Sequence, residues 1–330
     1  MATIDKKYKN LINKIFDEGY EYVDPKRDVR CKQIDDYKIT YNLKEGFPIL
    51  TTKKINFNNI IGELLWFLRG DTNIKYLVDN NINIWNKDAY NWAKQTNKFT
   101  PNLSKDFNYF VKKVKDANHY PDNLGDLGRV YGAQWRKWFI SDNNPGGLDQ
   151  ISNLIQNLKE NPMSRRHIVT AWNPAELDNM ALPPCHWSFE IIVRPTTRVE
   201  KITNPGVYYA FTLKWHQRSV DTYLGLPYNI ASYALLAHII GKLTNMKPLK
   251  IIGDLSNVHL YENSWNAATE ICGRNLDKYK APKLGIMDHL KNNFMDTFDN
   301  FINNARIKDF KLLDYEAYPN VKVEMLAPKS

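Results

Sequence analysis

The sequence predicts a mixed α/β domain built on one substantial sheet, and three observations predict it. HWSFEIIV at 186–193 and YYAFTLKWH at 208–216 are rich in aromatic and β-branched residues, as half-buried strands are. Stretches with apolar residues at helical spacing lie on both sides of them along the chain. With 330 residues, 43% of them hydrophobic, the chain is long enough to bury a core around such a sheet, as one large domain or two small ones.

Taken in order, Tyr8, Leu11, Ile12, Ile15 and Phe16 predict an amphipathic first helix over 5–17. Ile60, Ile61, Leu64, Leu65, Phe67 and Leu68 form a wide apolar face over about 57–69, stopped at Gly70. Glu63 lies inside that apolar stretch. Charged groups are rarely buried without a task, so it is read as a functional acid in a cavity in preference to a boundary residue turned to solvent. From Asn91 to Leu124 the chain turns polar, with Tyr109, Phe110 and Val111 interleaved, which predicts an inserted helical excursion at 91–124 and not a separate domain. Extended segments follow at 167–172 (HIVTAW), 186–193 and 208–216, the last two pairing across the long polar connection RPTTRVEKITNPG. Ile230–Leu243 is helical in pattern, and a further long helix is expected at about 284–305.

Composition narrows the class. No uncharged apolar run reaches the ~18 residues of a membrane span, and MATIDKKYKNLINKIF lacks the apolar centre of a signal peptide. A cytoplasmic protein is expected. Cys31, Cys185 and Cys272 are odd in number and far apart, so neither a disulfide framework nor a metal pattern is supported. The net charge of +9 suits anionic partners. Nucleic acid is not expected as a principal partner, because the Lys and Arg residues are scattered and form no recognisable nucleic-acid module.

Chemistry concentrates at LPPCHW, 182–187, followed downstream by HQRSVDTYLGLPYNIASYALL, 216–236. A lone cysteine is usually a small buried hydrophobe. Cys185, however, follows two prolines that fix its backbone, which suits a presented nucleophile. Cysteine attacks as thiolate, and cations nearby lower its pKa from about 8.5. Arg218, Arg165 and Arg166 are the candidates for that field.

Together with GFPILTTKK, ELLWFLRGDTNI, INIWNKDA, LGRVYGAQWR, SRRHIV and NVHLYENS, in that family's order along nearly the whole chain, these segments resemble thymidylate synthase. The resemblance implies a single catalytic domain over 1–330, a large mixed sheet flanked by helices, and sheets packed back to back in a homodimer. It implies reductive methylation of deoxyuridylate (dUMP) to thymidylate with 5,10-methylenetetrahydrofolate as cosubstrate, releasing dihydrofolate, and no metal. Cys185 would add to carbon 6 of the uracil, making carbon 5 nucleophilic. Arg218 and Ser219 match the family's phosphate ligands, and Arg165 and Arg166 the pair that reaches in from the other subunit. Gln217 belongs to the same hydrogen-bonding strand. Asn229 matches the residue that chooses the base: a neutral amide donates to uracil O4 and accepts from N3–H, whereas cytosine presents the reverse. His259 and Tyr261 match the pair on the ribose 3′-hydroxyl. Glu63 is the candidate for proton traffic, with Tyr131 and His186 in the same network. His186 need not be the base for Cys185, since strand neighbours point to opposite faces. Asp221 matches the carboxylate that meets the pterin; Ile84, Trp85 and Gly225 match the folate wall, and Lys53 the residue that meets its glutamate tail.

Two departures stand out. The family's Arg-Thr-Gly-Thr-Gly loop is replaced by DPKRDVRCKQ, with Lys26 at the arginine position and Arg27 beside it, and both hinge glycines are gone. The end, PNVKVEMLAPKS, runs past the point where the family's apolar terminus folds over the site, which predicts a looser seal against water. Water exclusion decides the product. The alternative function is therefore a dUMP 5-hydroxymethylase that releases tetrahydrofolate, of the kind phages use to modify DNA; the compartment would then be the host cytoplasm. An RNA-binding protein on the same fold is a third reading, which intact Cys185, Arg218, Asn229 and Glu63 oppose.

Overall fold

The computed structural model describes residues 3–96, 106–117, 123–140, 146–291 and 297–326. The helices are α1 (Thr3–Glu18), α2 (Phe57–Leu68), α3 (Lys75–Asp79), α4 (Asn86–Gln95), α5 (Phe107–Asp116), α6 (Tyr131–Arg136), α7 (Gln150–Glu160), α8 (Arg198–Thr203), α9 (Leu226–Thr244), α10 (Trp265–Gly273) and α11 (Phe298–Asn304). The strands are β1 (Tyr20–Asp24), β2 (Val29–Asn42), β3 (Ile168–Thr170), β4 (His186–Pro195), β5 (Tyr209–Gln217), β6 (Val220–Asp221), β7 (Lys247–Tyr261), β8 (Lys283–Ile286) and β9 (Phe310–Leu313). Seven of them form one sheet in the order β1-β2-β7-β5-β4-β3, with β6 also on β7. Pairing is antiparallel except where β5 and β6 run parallel to β7, so the sheet is mixed as expected.

The expected β4–β5 pairing is present, with Phe189 opposite Trp215 and Ile191 opposite Leu213. These side chains face the helices and are buried, whereas Ile192 is 49% exposed on the opposite face, where Ile168 and Trp187 are also exposed. The period-two alternation of a strand produces this division. On the covered face α9 packs on β7 and β5, and α2 packs on α9 and α6. Helix α9 is apolar nearly all round because it runs through the interior; its Asn245 cap adopts the left-handed conformation (φ 54°).

Three expectations change. The long helix at 284–305 does not form as such among the described residues: 283–286 is strand β8, paired with β9, a 3-10 turn follows at Asp288–Lys291, and an α-helix is present at Phe298–Asn304, with 292–296 outside the described residues. The apolar positions 284 and 286 alternate, which is the strand period. The connection after β4 contains α8, whose Thr197 and Glu200 make a reciprocal capping box that a search for polar linkers overlooks. The first extended segment shortens to Ile168–Thr170. Part of the 91–124 excursion lies outside the described residues. Its described helix α5 buries Phe110 and Val114 in the same apolar cluster as the rest of the core, and Tyr90 of α4 packs edge-on against Phe107 and Phe110.

One unanticipated anchor fixes the segment before α2. The buried Asp5 carboxylate accepts from the backbone N–H groups of Thr51 and Thr52 and from both threonine hydroxyls, at 2.6–3.1 Å. Desolvation nevertheless outweighs these bonds and raises its pKa above the usual range. Replacing it with alanine strands several buried donors, so Asp5→Ala is expected to cost about 3 kcal/mol or more. A lowered urea midpoint at unchanged slope would show it; an unshifted midpoint would mean that water replaces the carboxylate.

Candidate active site

Cys185 sits just before β4, at the start of the β4–β5 end of the sheet, and its backbone is held from two sides. Its N–H donates to the Tyr131 hydroxyl at 2.8 Å, and its carbonyl accepts from the Arg218 N–H at 2.9 Å. The Arg218 side chain reaches back to the same loop, donating from Nε to Pro184 O and from Nη2 to Pro183 O, both at 2.9 Å. Arg218 thus staples the proline turn that presents the thiol, while still lining the cavity above it.

That cavity has a volume of about 990 Å³, and Lys26, Arg27, Cys185, Arg218, Ser219, His259 and Tyr261 line it. The expected field on the thiol is only partly present. Arg218 and Arg27 are the cations that lower the Cys185 pKa, but burial has the larger effect and the thiol is raised overall. Arg165 and Arg166 are exposed and stand apart from the lining, so within one chain they do not supply the field anticipated for them. Cys31 and Cys272 are free thiols that burial pushes up to about 12 and about 11, consistent with inert cysteines.

Arg27 and Lys26 separate in the structure. Both lie in the tight turn between β1 and β2, where Asp24 Oδ1 accepts from the Lys26 and Arg27 N–H groups and Asp28 adopts φ 55°. Lys26 is exposed; Arg27 points inward, its guanidinium 5.0 Å from the centre of the Tyr261 ring. Arg27 Nε also donates to Leu326 O at 3.2 Å. The chain end crosses the site as a strap, held also by Tyr223 Oη on Val321 O and Asn263 on Glu324 O. Residues 327–330 of the extension lie outside the described residues.

Deeper groups form a connected polar and aromatic layer. His186 stacks on Tyr131 with ring centres 4.3 Å apart, and its Nδ1 lies 2.9 Å from the Tyr233 hydroxyl. Burial lowers its pKa to about 3, so the ring is neutral and unsuited to remove a thiol proton. Trp85 donates its indole N–H to Glu63 Oε1 at 2.7 Å. Desolvation still raises Glu63 to about 7, where both protonation states are accessible near neutrality. Ile84 packs partly buried beside Trp85 against the core.

Asn229 is within α9 and not its cap; the cap position is Gly225. Its Oδ1 accepts from Gln217 Nε2 at 3.1 Å, and Gln217 in turn accepts from the Trp215 indole at 3.2 Å. This relay fixes the amide so that the Asn229 N–H donors turn away from Gln217. At Gly225 an added Cβ would lie 3.2 Å from Asp221 O and 3.8 Å from Asn229 Oδ1, so a side chain there would crowd the Asp221 backbone. Asp221 Oδ1 accepts from the Tyr223 and Leu224 N–H groups, and the residue pairs with His259 across β6–β7. His259 Nδ1 lies 2.8 Å from Asn257 O, and burial lowers its pKa. Lys53 is only 2% exposed: its ammonium donates to Tyr223 O and lies over the Tyr223 ring, and burial lowers its pKa to about 8. Its head group thus faces the Tyr223 backbone and ring.

One wall of the cavity was not anticipated. Asp88, Asn91, Trp92 and Gln95 of α4 line it at positions i, i+3, i+4 and i+7. That spacing was visible in the sequence, but as a polar helical face it reads as solvated surface until the fold turns it inward. Among the described residues, no group of three or more His, Cys, Asp or Glu side chains is placed to hold a metal ion.

The profile of the family described as Thymidylate synthase matches residues 6–327. The chain belongs to the thymidylate synthase family. With it go the enzymes that transfer a one-carbon unit in the manner of a methyltransferase. A thymidylate synthase from Mesoplasma florum is 42% identical over 258 residues, covering 78% of this chain and 82% of the relative. Those of Malacoplasma penetrans and Mycoplasma mobile are each 36% identical, over 317 residues (96% of this chain, 98% of the relative) and 320 residues (97% and 99%). Among the described residues no helix is long and apolar enough to cross a membrane.

Proposed function

We propose that the protein methylates dUMP to thymidylate with 5,10-methylenetetrahydrofolate, through a covalent bond from Cys185 Sγ to carbon 6 of the base, as one catalytic domain. The observation that carries this reading is a single thiol on a cavity that also holds two inward arginines, Arg27 and Arg218. Guanidinium groups bind phosphate bidentately; Ser219 adds a hydroxyl, and His259 with Tyr261 meets the ribose. The Gln217–Asn229 relay offers amide donors to uracil O4. Thiolate addition at carbon 6 makes an enolate whose carbon 5 takes the one-carbon unit. Glu63, hydrogen-bonded to Trp85 and titrating near neutrality, moves protons at the base and the folate. Loss of the carbon 5 proton and elimination of tetrahydrofolate leave an exocyclic methylene; hydride transfer from tetrahydrofolate to that methylene, with the Cys185 thiolate expelled from carbon 6 as the 5,6 double bond re-forms, gives thymidylate and dihydrofolate, the folate supplying both carbon and hydride. Asp221 and Gly225 bound the pterin side, with Ile84 and Trp85 beneath the ring system.

The exposed Ile168, Trp187 and Ile192 support a second copy on the outer face of the sheet, with Arg165 and Arg166 serving the partner's site. Cytoplasmic work as a homodimer follows from this reading. Mass spectrometry of the nucleotide formed from dUMP and methylenetetrahydrofolate, with absorbance monitoring of dihydrofolate, tests it. Thymidylate with stoichiometric dihydrofolate is expected. Hydroxymethyldeoxyuridylate with tetrahydrofolate would instead mean that water replaces hydride.

A further inference from the structure

Three segments meet at the Lys53 ammonium. The first is its own: Asp5 fixes Thr51 and Thr52, and the chain end crosses them, the Tyr318 N–H donating to Thr51 O at 2.9 Å and the Lys54 N–H to Tyr318 O at 2.8 Å. Arg274 Nη1 ties the same crossing, donating to Thr52 O at 2.6 Å and to Pro319 O at 2.7 Å. The second is the turn at 221–224. Buried side chains take two of its carbonyls, Tyr8 Oη donating to Thr222 O at 2.7 Å and Lys53 Nζ to Tyr223 O at 2.5 Å. The ammonium also lies 3.7 Å from the centre of the Tyr223 ring. The third is the strap beyond the crossing, which the same Tyr223 holds by donating its hydroxyl to Val321 O at 2.8 Å. Lys53 thus grips Tyr223 at its carbonyl and ring, and Tyr223 grips the strap. The N–H groups of Tyr223 and Leu224 donate to Asp221 Oδ1 at 3.0 and 2.9 Å, which leaves Oδ2 for a donor on a ligand.

We propose that Lys53 is a positioning residue that joins the Asp221 turn to the chain-end strap through Tyr223, so that the carboxylate facing the pterin and the cover over the site are set together. The proposal rests on the methylation reading, in which Asp221 meets the pterin. It departs from the role the family resemblance implies for Lys53, a contact with the glutamate tail. At 2% exposure the ammonium offers no face to a carboxylate in solvent, and the Tyr223 carbonyl and ring are its partners. A cation over an aromatic face gains from desolvation, and an ammonium on a carbonyl is a charge-assisted hydrogen bond. Removing the charge leaves a buried carbonyl and a ring unpartnered at once. Tyr223 then shifts, and with it the hydroxyl that holds Val321 and the N–H that holds Asp221. A residue acting in this way weakens the binding of folates of every tail length alike and loosens the strap even with no ligand bound. A tail ligand does neither.

The test uses the full chain with Lys53→Met, which keeps an apolar stem, Tyr223→Phe, which deletes only the hydroxyl, and the double variant. Thermal melting establishes that each is folded, and Lys53→Gln takes the place of Lys53→Met if that variant is not. Hydrogen exchange followed by mass spectrometry reads the strap over 318–326 without ligand. Steady-state kinetics at saturating dUMP reads kcat and KM for monoglutamyl and polyglutamyl methylenetetrahydrofolate. Lys53→Met is expected to raise the folate KM about tenfold for both forms, as the loss of one charge-assisted hydrogen bond implies, with a smaller change in kcat. Exchange in its strap should be faster by a similar factor. Tyr223→Phe should speed that exchange too, and Lys53→Met added to it should speed it by less than in the parent, because the link is already cut. A KM rise confined to the polyglutamyl form would overturn the proposal and return Lys53 to the tail. Unchanged strap exchange, or effects of the two substitutions that add, would overturn it as well. If neither Lys53 variant folds, Tyr223→Phe decides alone, and unchanged strap exchange and folate KM would again overturn it. Coupled exchange effects in a protein that does not turn over dUMP would sustain the link from Lys53 to the strap and overturn the methylation reading.

Discussion

Cys185→Ala is expected to lower turnover by about 10⁴-fold or more while leaving the protein folded, because removing a nucleophile abolishes the covalent route and leaves only binding and positioning. The backbone contacts that hold residue 185 do not involve its side chain: Tyr131 takes its N–H and Arg218 its carbonyl. The alanine variant should therefore keep dUMP affinity within a few-fold and lose the mass increment of the nucleotide adduct on denaturing mass spectrometry. An alanine variant with substantial turnover would remove the thiol from the mechanism. A variant that loses dUMP binding as well would show instead that the sulfur supports the loop, which the present contacts do not predict.

Glu63→Gln is expected to reduce kcat by about 10² to 10⁴-fold, the usual range for a positioned acid–base group, and to flatten a limb of the pH–rate profile near 7. The same substitution has a stability signature of fixed sign. The native carboxyl holds its proton up to about 7, whereas the unfolded one releases it near 4.5, so across that window the native state binds more protons and stability falls as pH rises. Glutamine escapes this loss. Its advantage should grow from pH 4.5 to 7 and level off at about 1–3 kcal/mol. Unfolding midpoints at pH 5 and pH 8 measure it; parallel values for the two proteins would mean that Glu63 is solvated and ionised throughout.

Most of the sheet and the central helices were legible because each carries one consistent signal for its whole length. Helix α2 shows nine buried residues along a segment whose apolar face is plain in sequence, and β4 and β5 are marked by their aromatic and β-branched residues, β5 being buried at four successive positions, 210–213. The second half of the chain was misread where two periods compete: Leu284 and Ile286 fit either a helix face or a strand, and β9, at Phe310–Leu313, decides for the strand by pairing with it. The thiol, Arg218 and Asn229 were legible because rare residue types stand in long motifs. Asp88 and Asp5 were not. Each is an ordinary surface acid by local pattern, and only the tertiary structure places one on the cavity wall and the other against Thr51 and Thr52. The choice between Lys26 and Arg27 likewise needed the turn itself, since adjacent residues in a tight hairpin point different ways.

That turn has a thermodynamic consequence. A glycine-hinged loop gives up roughly 1–2 kcal/mol of backbone freedom per residue each time it settles on a ligand. Here Asp24 already bonds the two following N–H groups, and the Asp28 N–H closes on Asp24 O at 2.7 Å, so the ordering is done when the hairpin folds. Arg27 therefore stands preorganised: on the proposed function, nucleotide capture would be a docking event with a small entropic penalty at the loop, and selectivity would rest on whether the anion fits a fixed guanidinium.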